Sequence, residues 1–304
     1  MENLQYGKVD LVKALDYAKR NYENKKYKTG YGYVISGKNT YWNYLSKESW
    51  STFLSGMSES HQQQYEDGDG GELEEKNSKY GIVPPKMASY GSSSRFIYLQ
   101  SKDIPNFSFE KKCPTQVGQH PANLDGYLEK GNTIYCVEAK CREIYSSHKN
   151  IKVSTIYEKV FKRIPNFSYD SFRITKDIEH RKYTFKYDEK ELVHFDIKQL
   201  ICHFLGITAD ILKNQRRGVF IRFIYLIFNP KTDTLFTKEI ERYKEKIFKQ
   251  YDETIEEIER FGDMKRLFET IMEYQIENLD RPRVDYSFDF KLVDQNNYID
   301  EFNA

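Results

Sequence analysis

The chain has almost no net charge: 47 Lys and Arg stand against 46 Asp and Glu, leaving +1 over 304 residues. That balance excludes a uniformly basic surface. Any surface that meets nucleic acid must be local, with acids segregated elsewhere. Cysteine is scarce, and Cys113, Cys136, Cys141 and Cys202 form no Cys-x-x-Cys pair. A reduced, cytoplasmic protein with structural thiols is the simplest expectation. Long hydrophobic runs are missing too. The longest, Val219 to Phe228, is broken by Arg222 and is too short to span a bilayer, so no membrane partner is expected. The opening Met1 to Tyr6 lacks the basic segment and apolar stretch of a signal peptide. There is no internal repeat. The Asp-rich stretch Tyr65 to Gly71 lacks the spacing and closing Glu of a calcium loop. No His accompanies Ser92, Ser93 and Ser94 in a triad pattern, so they read as helix caps rather than nucleophiles.

Aromatic residues are abundant, with 25 Tyr and 20 Phe, enough for a large core. The length allows one large domain or two small ones. Helical spacing runs over Val9–Tyr22 and Trp42–Gln64. The break at Tyr65 to Gly71 then divides an N-terminal helical region, 1–70, from a core expected at 71–235. Within the core, Ser92 to Leu99 predicts a Ser-capped helix and Phe107 to Lys112 a short strand. Asp196 to Ile207 predicts an amphipathic helix, with Gly206 fitting its C-terminal end. Val219 to Phe228 predicts a buried strand closed by Asn229-Pro230. Thr237 to Tyr274 predicts two packed helices in a C-terminal helical region, 236–304, and is a candidate homodimer surface. The tail from Asp280 carries no clear pattern.

The most informative stretch is His120 to Glu143. Ala122–Leu128 and Thr133–Cys141 read as two strands around the polar turn Glu129-Lys130-Gly131-Asn132. A turn centred on Lys130-Gly131 sets Asp125 opposite Cys136. Glu138 and Lys140 come next on the same face, because strand side chains alternate. Asp125 and Glu138 are then diagonal neighbours, roughly 7–8 Å apart. The other face carries Ala122, Leu124, Leu128, Tyr135, Val137 and Ala139, a candidate core face.

Asp125 on one strand, a tight turn, then a hydrophobic strand ending Glu138-Ala139-Lys140 resembles the PD-(D/E)XK nuclease superfamily. Leu124, not Pro, precedes Asp125. Gly71-Glu72-Leu73, then Pro85-Lys86-Met87 and Ser92-Ser93-Ser94-Arg95, is similar to a bacterial restriction-like branch of that superfamily. The resemblance implies an α/β (α+β) fold: a restriction-endonuclease-like core with a central mixed sheet flanked by helices, plus added N- and C-terminal helices. It implies a metal-dependent endonuclease hydrolysing phosphodiester bonds of DNA, most simply duplex DNA, with Mg²⁺ or Mn²⁺. The implied metal ligands are Asp125, Glu138, the Ala139 carbonyl and Glu72, with Glu74 the alternative to Glu72 as the acid of a preceding helix. Gln199 is implied as a helical residue near the active site, with His203 one turn further on.

The chemistry fits these residue types. Mg²⁺ prefers oxygen ligands and keeps several waters, so two carboxylates and a carbonyl suffice to hold it. Lys140 would orient or deprotonate the attacking water and offset charge on the phosphate. The region 144–190 is rich in Lys and Arg with interleaved Tyr and Phe, and is a candidate DNA-contacting insertion. Two alternatives stay open: a catalytically silent nucleic-acid-binding protein on the same fold, and a nuclease acting on RNA or in repair.

Overall fold

The structure is a computed structural model. It describes residues 27–303 except 32, 37–38, 42–43, 69, 79–80, 90, 119, 142–150, 153–156, 164–171, 178–181, 188–189, 233–243 and 263. The helix expected over Val9–Tyr22 lies outside them.

The N-terminal part opens with a three-stranded antiparallel sheet, β1 (Tyr27–Gly30), β2 (Tyr33–Ser36) and β3 (Asn39–Tyr41). The region expected to be helical therefore starts as strands. Two helices come after it in place of one: α1 (Lys47–Ser55), capped by Ser46, and α2 (Glu59–Asp67), capped by Ser58. In each, the Ser hydroxyl accepts a backbone N–H of the first turn, satisfying a donor that has no partner inside the helix. Tyr65, expected in the break, is on α2 and fully buried. A short hairpin comes next, β4 (Lys76–Ser78) and β5 (Gly81–Val83), then α3 (Ser93–Ser101) with Ser92 as its cap.

The centre of the molecule is a five-stranded mixed sheet in an α/β arrangement. β6 (Ser108–Cys113), β7 (Ala122–Lys130) and β8 (Thr133–Lys140) form an antiparallel meander. A separate four-stranded sheet leaves the chain after β8: β9 (Ile151–Lys152), β10 (Phe172–Asp177), β11 (Lys182–Tyr187) and β12 (Lys190–Glu191), with α4 (Glu158–Arg163) between β9 and β10. The chain then returns through α5 (Ile197–Lys213) to β13 (Val219–Ile227), which pairs parallel with β8. After α6 (Lys244–Phe261) and α7 (Met264–Asn278), β14 (Tyr286–Asp294) adds parallel to β13 as the edge strand. The spatial order is β14-β13-β8-β7-β6. The tail from Asp280, in which no element was expected, thus supplies an edge strand of the central sheet. The boundary expected at 235 does not separate the sheet from the C-terminal region, because β14 crosses it to pair with β13.

β13 is nearly continuous in Val, Ile, Phe and Leu because both its faces are covered. α3 packs against the face that carries Gly126. A β-carbon at Gly126 would lie 2.4 Å from Phe107 Cζ and 2.8 Å from Ile97 Cδ1, so only glycine lets that helix and loop approach. α5 covers the face that carries Glu138 and Lys140, and α7 packs behind α5. Gly206 lies inside α5 rather than at its end. A β-carbon there would meet the Cys113 carbonyl oxygen at 2.6 Å, so this glycine serves close packing against β6. Among the described residues, no helix is long and apolar enough to cross a membrane.

Candidate active site

The hairpin β7–β8 sets the site. Tyr127 pairs with Cys136 and Gly126 with Val137, the last rung of this ladder, and the same offset carried one step on brings Asp125 level with Glu138. The expected register was two residues different. β7 runs two residues further than expected, and the turn is only Gly131-Asn132, with Gly131 at φ 60°. A two-residue loop with glycine in its first position matches the strand twist, which is what fixes this pairing. A shift of two residues leaves every side chain on its expected face. It moves Asp125 and Glu138 from diagonal to direct neighbours, a closer approach. The opposite face, Ala122, Leu124, Leu128, Tyr135, Val137 and Ala139, is buried as expected.

Three groups hold the two carboxylates, and a fourth, Gln199, holds one of the three. The Lys140 Nζ donates to Glu138 Oε1 at 2.5 Å and to Gln199 Oε1 at 2.6 Å. The His203 Nε2 lies 2.8 Å from Glu138 Oε2, an ion-pair approach that is not aligned as a hydrogen bond. The Ala139 backbone N–H donates to Asp125 Oδ2 at 2.7 Å. Gln199 and His203 are one turn apart on α5, so both face the hairpin. The start of α5 is fixed twice. Asp196 accepts the Gln199 N–H, and Glu257 on α6 accepts the N–H groups of Val193, His194 and Phe195.

The electrostatics divide the acids. Burial acts to raise the Glu138 carboxyl, but Lys140 and His203 outweigh it and hold it down at about 2. Burial pushes Asp125 well above the usual carboxylate range, and Glu138 and Glu110 push it further. Burial, then Glu72 and Glu138, raises Glu110 to about 7.

Glu110 was not singled out in the sequence. It sits inside β6 at φ 51°, a left-handed conformation that side chains rarely adopt. Glu72 is buried and lies beside the site, but on the loop between α2 and β4 rather than on a helix. Its Oε1 is 3.2 Å from Lys86 Nζ. Glu74 is exposed, pairs with Lys76 and does not line the site. Asp125, Glu138, Lys140, Gln199, Glu72 and Glu110 all border one cavity of about 450 Å³, which Lys86, Asn123 and Ser92 to Ser94 also line.

No family model, curated protein or solved structure matches this chain.

The donor set suits a hard divalent cation, because the cavity offers carboxylate and amide oxygens and no thiolate. The side-chain oxygen of Asn123 is buried without a hydrogen-bond partner among the described residues. Among those residues, no three His, Cys, Asp or Glu side chains converge closely enough to grip an ion as they stand. Lys140 occupies Glu138, and the Ala139 N–H occupies Asp125.

The basic insertion is only partly described. Lys149 and Arg181 lie outside the described residues. Lys159 is exposed on α4. Arg163 forms an ion pair with Glu277 on α7, so its charge is engaged within the protein.

Proposed function

We propose that this chain is a metal-dependent endonuclease that hydrolyses phosphodiester bonds of DNA on a restriction-endonuclease-like core. One observation carries the reading. Asp125, Glu138 and Lys140 come from adjacent strands onto one face and border one cavity, with Gln199 reaching in from the next helix. A structural ion pair would explain Lys140 and Glu138 alone. It would not explain a second, half-buried carboxylate beside them, nor a glutamine placed on the ammonium.

Asp125, Glu138, the Ala139 carbonyl and Glu72 are the candidate ligands for Mg²⁺ or Mn²⁺. The bound ion would acidify water, polarise the phosphoryl oxygen and offset the charge that develops on it. The chain's own groups do the rest. Lys140 orients the attacking water and donates to the phosphate. Gln199 holds the ammonium in place when it leaves Glu138. His203 keeps Glu138 oriented from the opposite oxygen. The Ala139 N–H fixes one Asp125 oxygen, and the other would serve the ion.

The test is incubation of supercoiled plasmid and labelled RNA with purified protein in Mg²⁺, Mn²⁺, Ca²⁺ or excess chelator, with the ends mapped. The expected result is DNA cleavage with Mg²⁺ or Mn²⁺, binding without turnover in Ca²⁺, and none in chelator. Equal cleavage in chelator overturns the metal dependence, and cleavage of RNA alone overturns the substrate.

A further inference from the structure

Glu110 belongs to this site in a way the surrounding sheet makes specific. The rungs on either side of it are regular: Phe109 pairs with Gly126 and Lys111 with Leu124. The missing rung is the one between Glu110 and Asp125, where the backbone turns to φ 51°. A left-handed residue inside a strand is strained unless it is glycine, and such strain persists where neighbours over-determine it. Here the strain is confined to the one position that faces Asp125. Its side chain lines the cavity, where the Ser94 hydroxyl hydrogen-bonds it.

Glu72 and Glu110 differ in their partners. Glu72 is held by Lys86 at 3.2 Å. Glu110 has the neutral Ser94 hydroxyl beside it, and the pull of Lys86 on it is outweighed by burial and by the Glu72 and Glu138 carboxylates. Two residues along β6 from Glu110, Lys112 pairs with Asn123, whose buried oxygen is the unpartnered one. A carboxylate on which Lys86 is outweighed by burial and two other acids, and an amide oxygen without a hydrogen-bond partner among the described residues, therefore flank Asp125 at this cavity. Both are hard oxygen donors of the kind a divalent cation takes.

We propose that Glu110, together with the Asn123 side-chain oxygen, binds the divalent cation beside Asp125, the role the sequence suggested for Glu72. This rests on the reading of the cavity as a metal site.

Titration calorimetry with Mn²⁺, without nucleic acid, tests it. The variants are Glu110→Gln, Glu110→Gly, Asn123→Leu, Asp125→Ala and Glu74→Gln. The expected result is at least a tenfold loss of Mn²⁺ affinity in both Glu110 variants and a smaller loss in Asn123→Leu. Glu74→Gln, exposed and outside the cavity, should bind as the unaltered protein does. Glu110→Gly guards against misfolding as the cause, because glycine accepts φ 51° and should keep or raise the thermal midpoint. If the protein binds Mn²⁺ and loses it in Asp125→Ala, but both Glu110 variants bind normally, the role of Glu110 is overturned and the metal site stands. If the unaltered protein binds no Mn²⁺, both fail together.

Discussion

His203 reaches Glu138 from the helix that covers the sheet, with Nε2 2.8 Å from Oε2 and both side chains buried. Lys140 takes the other oxygen. Glu138 is thus held between a strand neighbour and a helix residue, which is why it stays ionised where water hardly reaches.

That arrangement makes His203 a positioning residue. His203→Leu removes one partner of a buried carboxylate and should cost about 1–3 kcal/mol in urea unfolding. His203→Gln, whose amide can donate to Oε2, should recover most of it and restore Mn²⁺ affinity along with stability. Equal losses in the two variants would show that the ring matters only as packing.

Lys140→Ala should separate stability from chemistry. It strips the nearer cation from a buried carboxylate, at a cost of about 3–5 kcal/mol in chelator. Both carboxylates remain, so Mn²⁺ should still bind and should return much of the lost stability. Cleavage should fall by roughly 10²–10⁴ with the water no longer oriented. Unchanged unfolding in chelator would contradict the ion pair.

The pH dependence of stability is set by the acids. Glu110 is raised from 4.5 to about 7 in the folded protein. The fold favours its protonated form, so its contribution is complete below pH 4.5 and is lost as pH rises through 7. Glu138, held at about 2, acts in reverse: its contribution is complete above pH 4.5 and is lost as pH falls toward 2. Thermal midpoints measured in chelator should therefore fall between pH 4.5 and 7, and Glu110→Gln should flatten that fall. The gain at pH 8 should be on the order of 2 kcal/mol. A variant curve parallel to that of the unaltered protein would remove Glu110 as the source.

Gly206→Ala should displace α5. Its new methyl meets the Cys113 backbone at 2.6 Å, which cannot swing aside as a side chain can. The cost should be about 1–3 kcal/mol. Because α5 carries Gln199 and His203, cleavage should fall as well, and spectroscopy of the folded variant at low temperature separates the two effects.

How much of this could be read from the chain depended on distance along it. Asp125, Glu138 and Lys140 lie within one hairpin, so alternation alone put them on one face. The register still slipped by two residues, because the turn conformation at Gly131 was needed to fix it. The helix that carries Gln199 was legible from its apolar spacing, but Gln199 itself was named only through the family resemblance. Glu110 was not legible. In Phe109-Glu110-Lys111-Lys112 it looks like one more solvated charge, and only pairing with β7 shows what it faces. β14 alternates Tyr286, Phe288, Phe290 and Leu292 with Ser287, Asp289 and Lys291, a strand pattern that was present but had no local partner. Its partner β13 lies two helices back in the chain.

The parallel pairing of β13 with β14 also bears on synthesis. While a ribosome is still making α6 and α7, the β7–β8 hairpin and β13 can already have left the exit tunnel, but the open edge of β13 has nothing to pair with. That edge is one of the most apolar segments of the chain, and it must wait for residue 294. Such late, distant pairing slows folding and prolongs exposure to other nascent chains. A stop codon placed ahead of Tyr286 should therefore yield aggregate rather than a smaller folded protein.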